Sequence, residues 1–334
     1  MHNERFRCAN GQHEQTKKIS QQARNHAVET AERTVLSKPP NVAVTKRSLL
    51  FACWIVLSSL LFRTPLVALV RMSLSNDDAS YLALIPFICA WLLFVESHKI
   101  FLDFSYDFVF GGSFLILAGC ATLALRFAGG TPSLGLQLSG YILSLVLVWV
   151  AGFALLFGKN ATKAGYFPLL FLFLMIPLPN FLLDQVIRLL QAGSAWITGA
   201  FFDLFGVPAL REGLVFHLAR VNIEVAKECS GIRSSMGLLI LALLVAHFRL
   251  KRFWNKTLFV ASGLFMMILK NGIRIATLTL LSVYVDPSFL YGRLHHAGGI
   301  VFFVLAVLLL LPVLSLLQHW DSRRPVAAEP RSTP

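Results

Sequence analysis

The sequence predicts an all-α polytopic membrane protein of about eight transmembrane helices. A small extracytoplasmic insertion, an amphipathic helix followed by a β-hairpin, precedes the sixth of them. Three observations carry the prediction. Hydrophobic residues make up 56% of the chain and charged residues 14%, against roughly a quarter charged in an ordinary soluble domain. The mean hydropathy is +0.67. Several runs approach the ~20 apolar residues that cross a bilayer. The net charge of +13 collects in the N-terminal tail and the short connecting loops, where the positive-inside rule places it. No DNA- or RNA-binding motif stands beside the basic residues, so nucleic acid is excluded as a partner and the lipid bilayer is the expected one.

In chain order, residues 1–47 are polar, with little periodic apolar content, and read as a disordered, basic, cytoplasmic tail. The tail is too long and polar for the start of a signal peptide, so no cleavage is expected. Residues 48–318 form the transmembrane domain and 319–334 a C-terminal cytoplasmic tail. The expected spans are about 48–70, 79–95, 112–125, 134–157, 166–178, 232–248, 258–281 and 299–317. Arg63 and Pro65 fall near the far end of the first, and Pro177 and Pro179 break the fifth. Arg249, Lys251, Arg252 and Lys256 cluster between the sixth and seventh, which puts that loop in the cytoplasm. Lys159, Lys163, Arg323 and Arg324 agree. Both termini then lie inside, and Cys229, the far end of the seventh span and His295 all lie outside.

The outer segment, 179–231, has two halves. In the first, Asp184, Arg188 and Gln191 recur at helical spacing opposite Leu183, Val186, Leu190 and Trp196, as in a helix lying in the interface. In the second, Val221, Ile223 and Val225 alternate with Asn222 and Glu224. With 214–218 they predict a small hairpin that delivers Cys229 to the membrane edge.

The chain has five cysteines, and their spacing fits neither a disulfide framework nor a metal or haem site. Three sit in apolar spans, where a thiol behaves as a small hydrophobe. Cys229 differs, because it stands in the polar run Glu224-Val-Ala-Lys-Glu-Cys-Ser-Gly-Ile-Arg-Ser-Ser-Met236, just where the sixth span begins. A helix N-terminus favours the thiolate, and the adjacent Glu228 opposes it, so a cation is needed nearby. Arg274, in Lys270-Asn-Gly-Ile-Arg274, is the natural one. Arginine within a span costs about 2.5–3.5 kcal/mol at mid-depth, and its donor fork suits a thiolate or an oxyanion. Snorkelling to the interface is its structural alternative. Lys270 lies one turn deeper, and Asn271 reads as a helix–helix hydrogen bonder. His295 and His296, in Leu294-His-His-Ala-Gly-Gly299, supply a general acid/base, and only one of two adjacent side chains faces the cysteine. His217, His247 and His319 read as structural. There is no metalloprotease His-Glu-x-x-His, no phosphate-binding glycine loop and no Gly-x-Ser-x-Gly elbow, and neither cofactor nor metal is indicated.

These three motifs, in this order, resemble the signatures of the exosortase/archaeosortase family. The likeness extends over roughly 167–311, including Phe167-Pro-Leu-Leu-Phe, Ile176-Pro-Leu-Pro-Asn and Gly206-Val-Pro. It implies a cysteine protease/transpeptidase of the bacterial inner membrane. Its substrates would be exported proteins with a C-terminal signal of the Pro-Glu-Pro (PEP-CTERM) type: a short motif, a hydrophobic helix and a basic cluster. The acceptor nucleophile is unspecified, and an exopolysaccharide system is implied alongside. By position the resemblance assigns Cys229 as nucleophile, Arg274 as the arginine and His295, over His296, as the histidine. The reading from another class is a transporter or exopolysaccharide-assembly component, with Arg274 and Lys270 lining an anion path.

Overall fold

The computed structural model describes residues 42–323 except 104, 128–132, 219–220, 226–231 and 287–292; the side chains of 42–45, 77, 293–298 and 323 also lie outside the description. The chain divides into two units, Met1–Cys53 and Trp54–Pro334. Of the first, only the opening of helix α1 (Val42–Leu61) is described. The second continues α1 and holds α2 (Arg63–Ser75), α3 (Ile85–Val95), the single turn α4 (Ser97–Ile100), α5 (Phe108–Phe127), α6 (Leu134–Ala164), α7 (Tyr166–Phe171) and α8 (Asn180–Leu204). Strands β1 (Ala209–Glu212), β2 (Val215–Leu218) and β3 (Asn222–Glu224) follow, then α9 (Ile232–Arg249), α10 (Phe253–Tyr284) and α11 (Arg293–Arg323).

This is a multi-pass, all-α membrane architecture. Among the described residues, five helices are long and apolar enough to cross a membrane, and the number rises to seven if two bent pairs each count as one span. The first pair bends by 85° between Lys46–Leu61 and α2. Pro65 lies in the first turn of α2, where its missing N–H breaks no helical bond. The second pair bends by 96° between Tyr166–Met175 and α8, and Pro179 is the residue that caps α8. The segment Leu82–Val95 is a shorter apolar helix. Large hydrophobic side chains such as Leu57, Leu74, Phe94 and Val109 are exposed, as lipid contact requires.

The pillar of the N-terminal half is α6, whose Ile142, Leu145, Val146, Ala151 and Ala154 are fully buried. Trp149 donates from Nε1 to Ser58 Oγ at 3.0 Å, and Trp54 donates to the Val148 carbonyl at 2.9 Å. Gly158 ends the straight part of α6 at φ 83°, and a Cβ there would lie 2.5 Å from the Ser105 carbonyl oxygen. Glycine alone meets both demands. In the C-terminal half, α9, α10 and α11 share one core through Leu238, Ala242, Phe259, Met267, Ala306 and Leu310.

β1, β2 and β3 make a three-stranded antiparallel sheet in that order, with Phe216 opposite both Arg211 and Ile223. Phe216 on its inner face and Val225, just past β3, pack with Ala195 and Phe202 of α8 and Ile275 and Ala276 of α10. This defines the sheet end of the bundle. The short link from α9 to α10, with Arg249, Lys251 and Arg252, defines the opposite, basic-loop end.

At the basic-loop end three elements meet through one histidine. His247 Nε2 lies 2.6 Å from Glu96 Oε1, each side chain is 11% exposed, and the Phe167 ring stacks on the imidazole at 3.7 Å. Glu96→Ala is expected to destabilise the protein by about 1.5–3 kcal/mol, the range for a hydrogen bond to a charged group. The check is the thermal midpoint in detergent. Adding His247→Leu should recover much of the loss, because no buried polar group is then left without its partner. A double variant as unstable as Glu96→Ala would instead assign the effect to packing.

Candidate active site

α8 departs from the sequence expectation in a way that shapes the site. Gln191, expected on the polar face, is buried with Ile187, Leu190, Ser194, Ala195 and Thr198, whereas Val186 and Trp196 are exposed. The physical reason is the solvent. Against lipid an apolar face is left outside, and the small and polar residues turn inward, where helices approach closely and hydrogen bonds are satisfied. That inner face meets α10. Asn271 Nδ2 donates to Ser194 Oγ at 2.9 Å and Thr198 Oγ1 to the Gly272 carbonyl at 3.2 Å. Asn271 thus bonds between helices, as its place in a span implies. Gly272 permits the approach, since a Cβ there would lie 2.4 Å from Ile197 Cγ2.

Arg274 lies one turn beyond Lys270 on the same face of α10 and is half-buried. Next to it, Ile275 and Ala276 belong to the core under the sheet. Lys270 is buried, and its Nζ donates to Ser234 Oγ in the first turn of α9. The start of α9 and the Arg274 face of α10 therefore share the sheet end. α11, packed on both, opens there, and His295 and His296 lie in its first turn with their side chains outside the described residues.

Cys229 lies outside the described residues, but both flanks of its segment are anchored. On the near side Val225 is fully buried. Its N–H donates to the Leu214 carbonyl at 2.9 Å, and its carbonyl accepts from Gln191 Nε2 at 2.6 Å. On the far side, Ser234 is held by Lys270. Sequence reasoning put Gln191 on the polar face of its helix and did not single out Ser234; the available signal was a polar side chain inside an otherwise apolar helix.

An apolar groove of about 390 Å³ runs along α8 and α10 at this end, lined by Phe201, Phe205, Ala276, Leu280 and Tyr284 among others. The other histidines sit elsewhere. His217 is on the sheet, with Nδ1 3.1 Å from Asn222 Oδ1, and His247 is in the basic-loop cluster. Cys53 and Cys120 are exposed and Cys89 is buried, all three as free thiols. Among the described residues no group of three or more His, Cys, Asp or Glu side chains is placed to hold a metal ion.

A family model described as transmembrane exosortase (Exosortase_EpsH) matches residues 69–312. The chain belongs to this family. No curated protein and no solved structure matches it. In this exosortase the matched stretch begins within α2 and ends within α11, so it takes in the sheet, the α8–α10 seam and the positions of Cys229, Arg274 and His295.

Proposed function

We propose that this exosortase is a cysteine-type peptidase and transpeptidase that cleaves exported proteins at a C-terminal PEP-CTERM-like sorting signal. In this reading the Cys229 thiolate attacks the scissile carbonyl, and the guanidinium of Arg274 stabilises the tetrahedral oxyanion. His295, protonated, gives its proton to the departing amine as the C–N bond breaks, leaving a Cys229 thioester. The neutral imidazole then takes a proton from the acceptor. The acceptor attacks the thioester, and the thiolate is released. Water as acceptor gives cleavage, and an amine or a lipid-linked group gives anchoring.

One observation carries the reading: the three motifs fall, in order, within a family match that spans most of the chain. The bonds that anchor both flanks of the Cys229 segment at the Arg274 end of α10 support it. So does the apolar groove, which begins two residues beyond Arg274 and suits a hydrophobic helix. The topology we propose has eight spans: the five long helices, the first bent pair, the shorter apolar helix and the segment 166–178. Residues 1–47 and 319–334 are cytoplasmic tails, and the segment 179–231 with its hairpin lies on the outer face of the inner membrane. Exopolysaccharide export is the accompanying system.

The test is covalent capture. Purified enzyme mixed with a peptide spanning the signal is expected to form an adduct that maps to Cys229 and is released by hydroxylamine. A Cys229→Ser enzyme should form no hydroxylamine-labile adduct. Release of the C-terminal fragment by the wild-type enzyme, with no trace of a thioester under rapid quench, would overturn the mechanism.

A further inference from the structure

A second groove lies at the opposite end of the molecule, apolar along its length and basic at one end. It measures about 380 Å³ and is lined by Tyr166 and Phe167 of the α7 turn, Leu243 and His247 of α9, and one face of α10 from Phe253 to Leu264. The α10 positions, which include Phe253, Lys256, Thr257, Val260 and Leu264, recur at three- and four-residue steps and so form one continuous stripe. Eleven residues of helix rise about 17 Å, close to the depth of one leaflet, half of the ~30 Å hydrocarbon core.

The two ends of the groove differ in chemistry. Toward Leu264 the stripe is apolar. Toward Phe253 it reaches Lys256, half-buried and part of the lining, and the connection from α9, which carries Arg249 and Lys251, both exposed. Arg252, the residue that caps α10, lies 4.0 Å from Asp321 and so faces the α11 side. Tyr166, Phe253 and Trp254 are exposed at the same level, the place of an interfacial aromatic belt. An acyl chain fits the apolar length, and the cationic end calls for a negative headgroup. A zwitterionic lipid fills the first requirement and not the second.

We propose that this groove is a binding site for one anionic phospholipid, its chain along Val260 and Leu264 and its phosphate at Lys256. The site is separate from the sheet end and does not depend on the assignment of Cys229. It ties α7, α9 and α10 together at the level of the Glu96–His247–Phe167 cluster, since Phe167 and His247 belong to both.

The experiment uses the full chain, stripped of lipid in mild detergent and incubated with equimolar phosphatidylglycerol and phosphatidylcholine of identical chains. Native mass spectrometry reads the bound lipid. Wild type is expected to retain phosphatidylglycerol over phosphatidylcholine by about fivefold, the discrimination that one basic residue near an anionic surface supplies. Lys256→Gln should bring the ratio toward one. Ala261→Phe, which fills the groove, should lower retention of both lipids. Lys159→Gln, which removes a basic residue outside the lining, should leave the ratio unchanged. Thermal melts of each variant establish that it is folded. Equal retention of the two lipids by wild type overturns the proposal. So does a preference that survives both Lys256→Gln and Ala261→Phe, because that preference belongs to the general lipid annulus. Displacement of bound phosphatidylglycerol by inorganic phosphate alone would reassign the site to a free anion.

Discussion

Cells carrying Cys229→Ala are expected to accumulate the full-length precursor of a tagged exported protein with the C-terminal sorting signal, while wild-type cells mature it. The argument runs from chemistry to magnitude. If the thiolate forms the bond that replaces the scissile amide, alanine leaves no group able to take its place. Removing the nucleophile from a covalent hydrolase costs on the order of 10⁴-fold or more in turnover. Cys229→Ser keeps the size and loses the thiolate, so it should resemble alanine. The comparison is made at equal enzyme levels in the membrane fraction, which removes misfolding as an explanation. Cys53 and Cys120, both exposed thiols, supply internal controls: their alanine variants should process normally. Normal maturation with Cys229→Ala would sink the nucleophile assignment and favour the transporter or assembly-component reading.

Much of the architecture was legible because transfer into a bilayer depends on local composition. The segments 232–248, 258–281 and 299–317 fall within α9, α10 and α11, and 134–157 within α6, since an apolar run of that length has few other places to go. What hydropathy could not show is direction. Phe62 breaks the first segment by 85°, and the proline that accompanies the break sits harmlessly in the first turn of the next helix. α8 was harder still. Its helical period is plain in the sequence, but the choice of which face is buried assumed that polar residues face water. Gln191, Ser194 and Thr198 turn inward instead, and Trp196 turns outward. For the site, sequence patterning isolated Arg274 through the cost of an intramembrane charge, a local property. The partners that organise its surroundings are separated from them along the chain: Gln191 from Val225, Lys270 from Ser234, Asn271 from Ser194. A single sequence carries no record of such pairs.

Arg274→Gln is expected to lower turnover by about 10²–10³-fold, the cost of removing one oxyanion donor. The loss should fall on kcat with KM little changed, because the interaction exists only once negative charge has moved onto the carbonyl oxygen. Arg274→Lys should recover part of the rate: an ammonium restores the charge and not the planar fork. Arg274 also stands where a structural role is natural, half-buried and one turn from Lys270 on a helix locked to α8 at Gly272. The two roles separate by measurement. A structural arginine lost from this seam would lower the melting temperature and would scatter its effect over KM and kcat alike, with Lys270→Met giving the same pattern. An oxyanion donor leaves the melt near wild type and slows acylation in single-turnover assays. A third role, holding the Cys229 thiolate, has its own mark: alkylation of Cys229 by iodoacetamide at neutral pH would slow in Arg274→Gln in step with turnover. If alkylation is unchanged while acylation falls, Arg274 acts on the oxyanion. If both are unchanged, it takes no part in the chemistry, and the cation that Cys229 requires against Glu228 must be sought at Lys270.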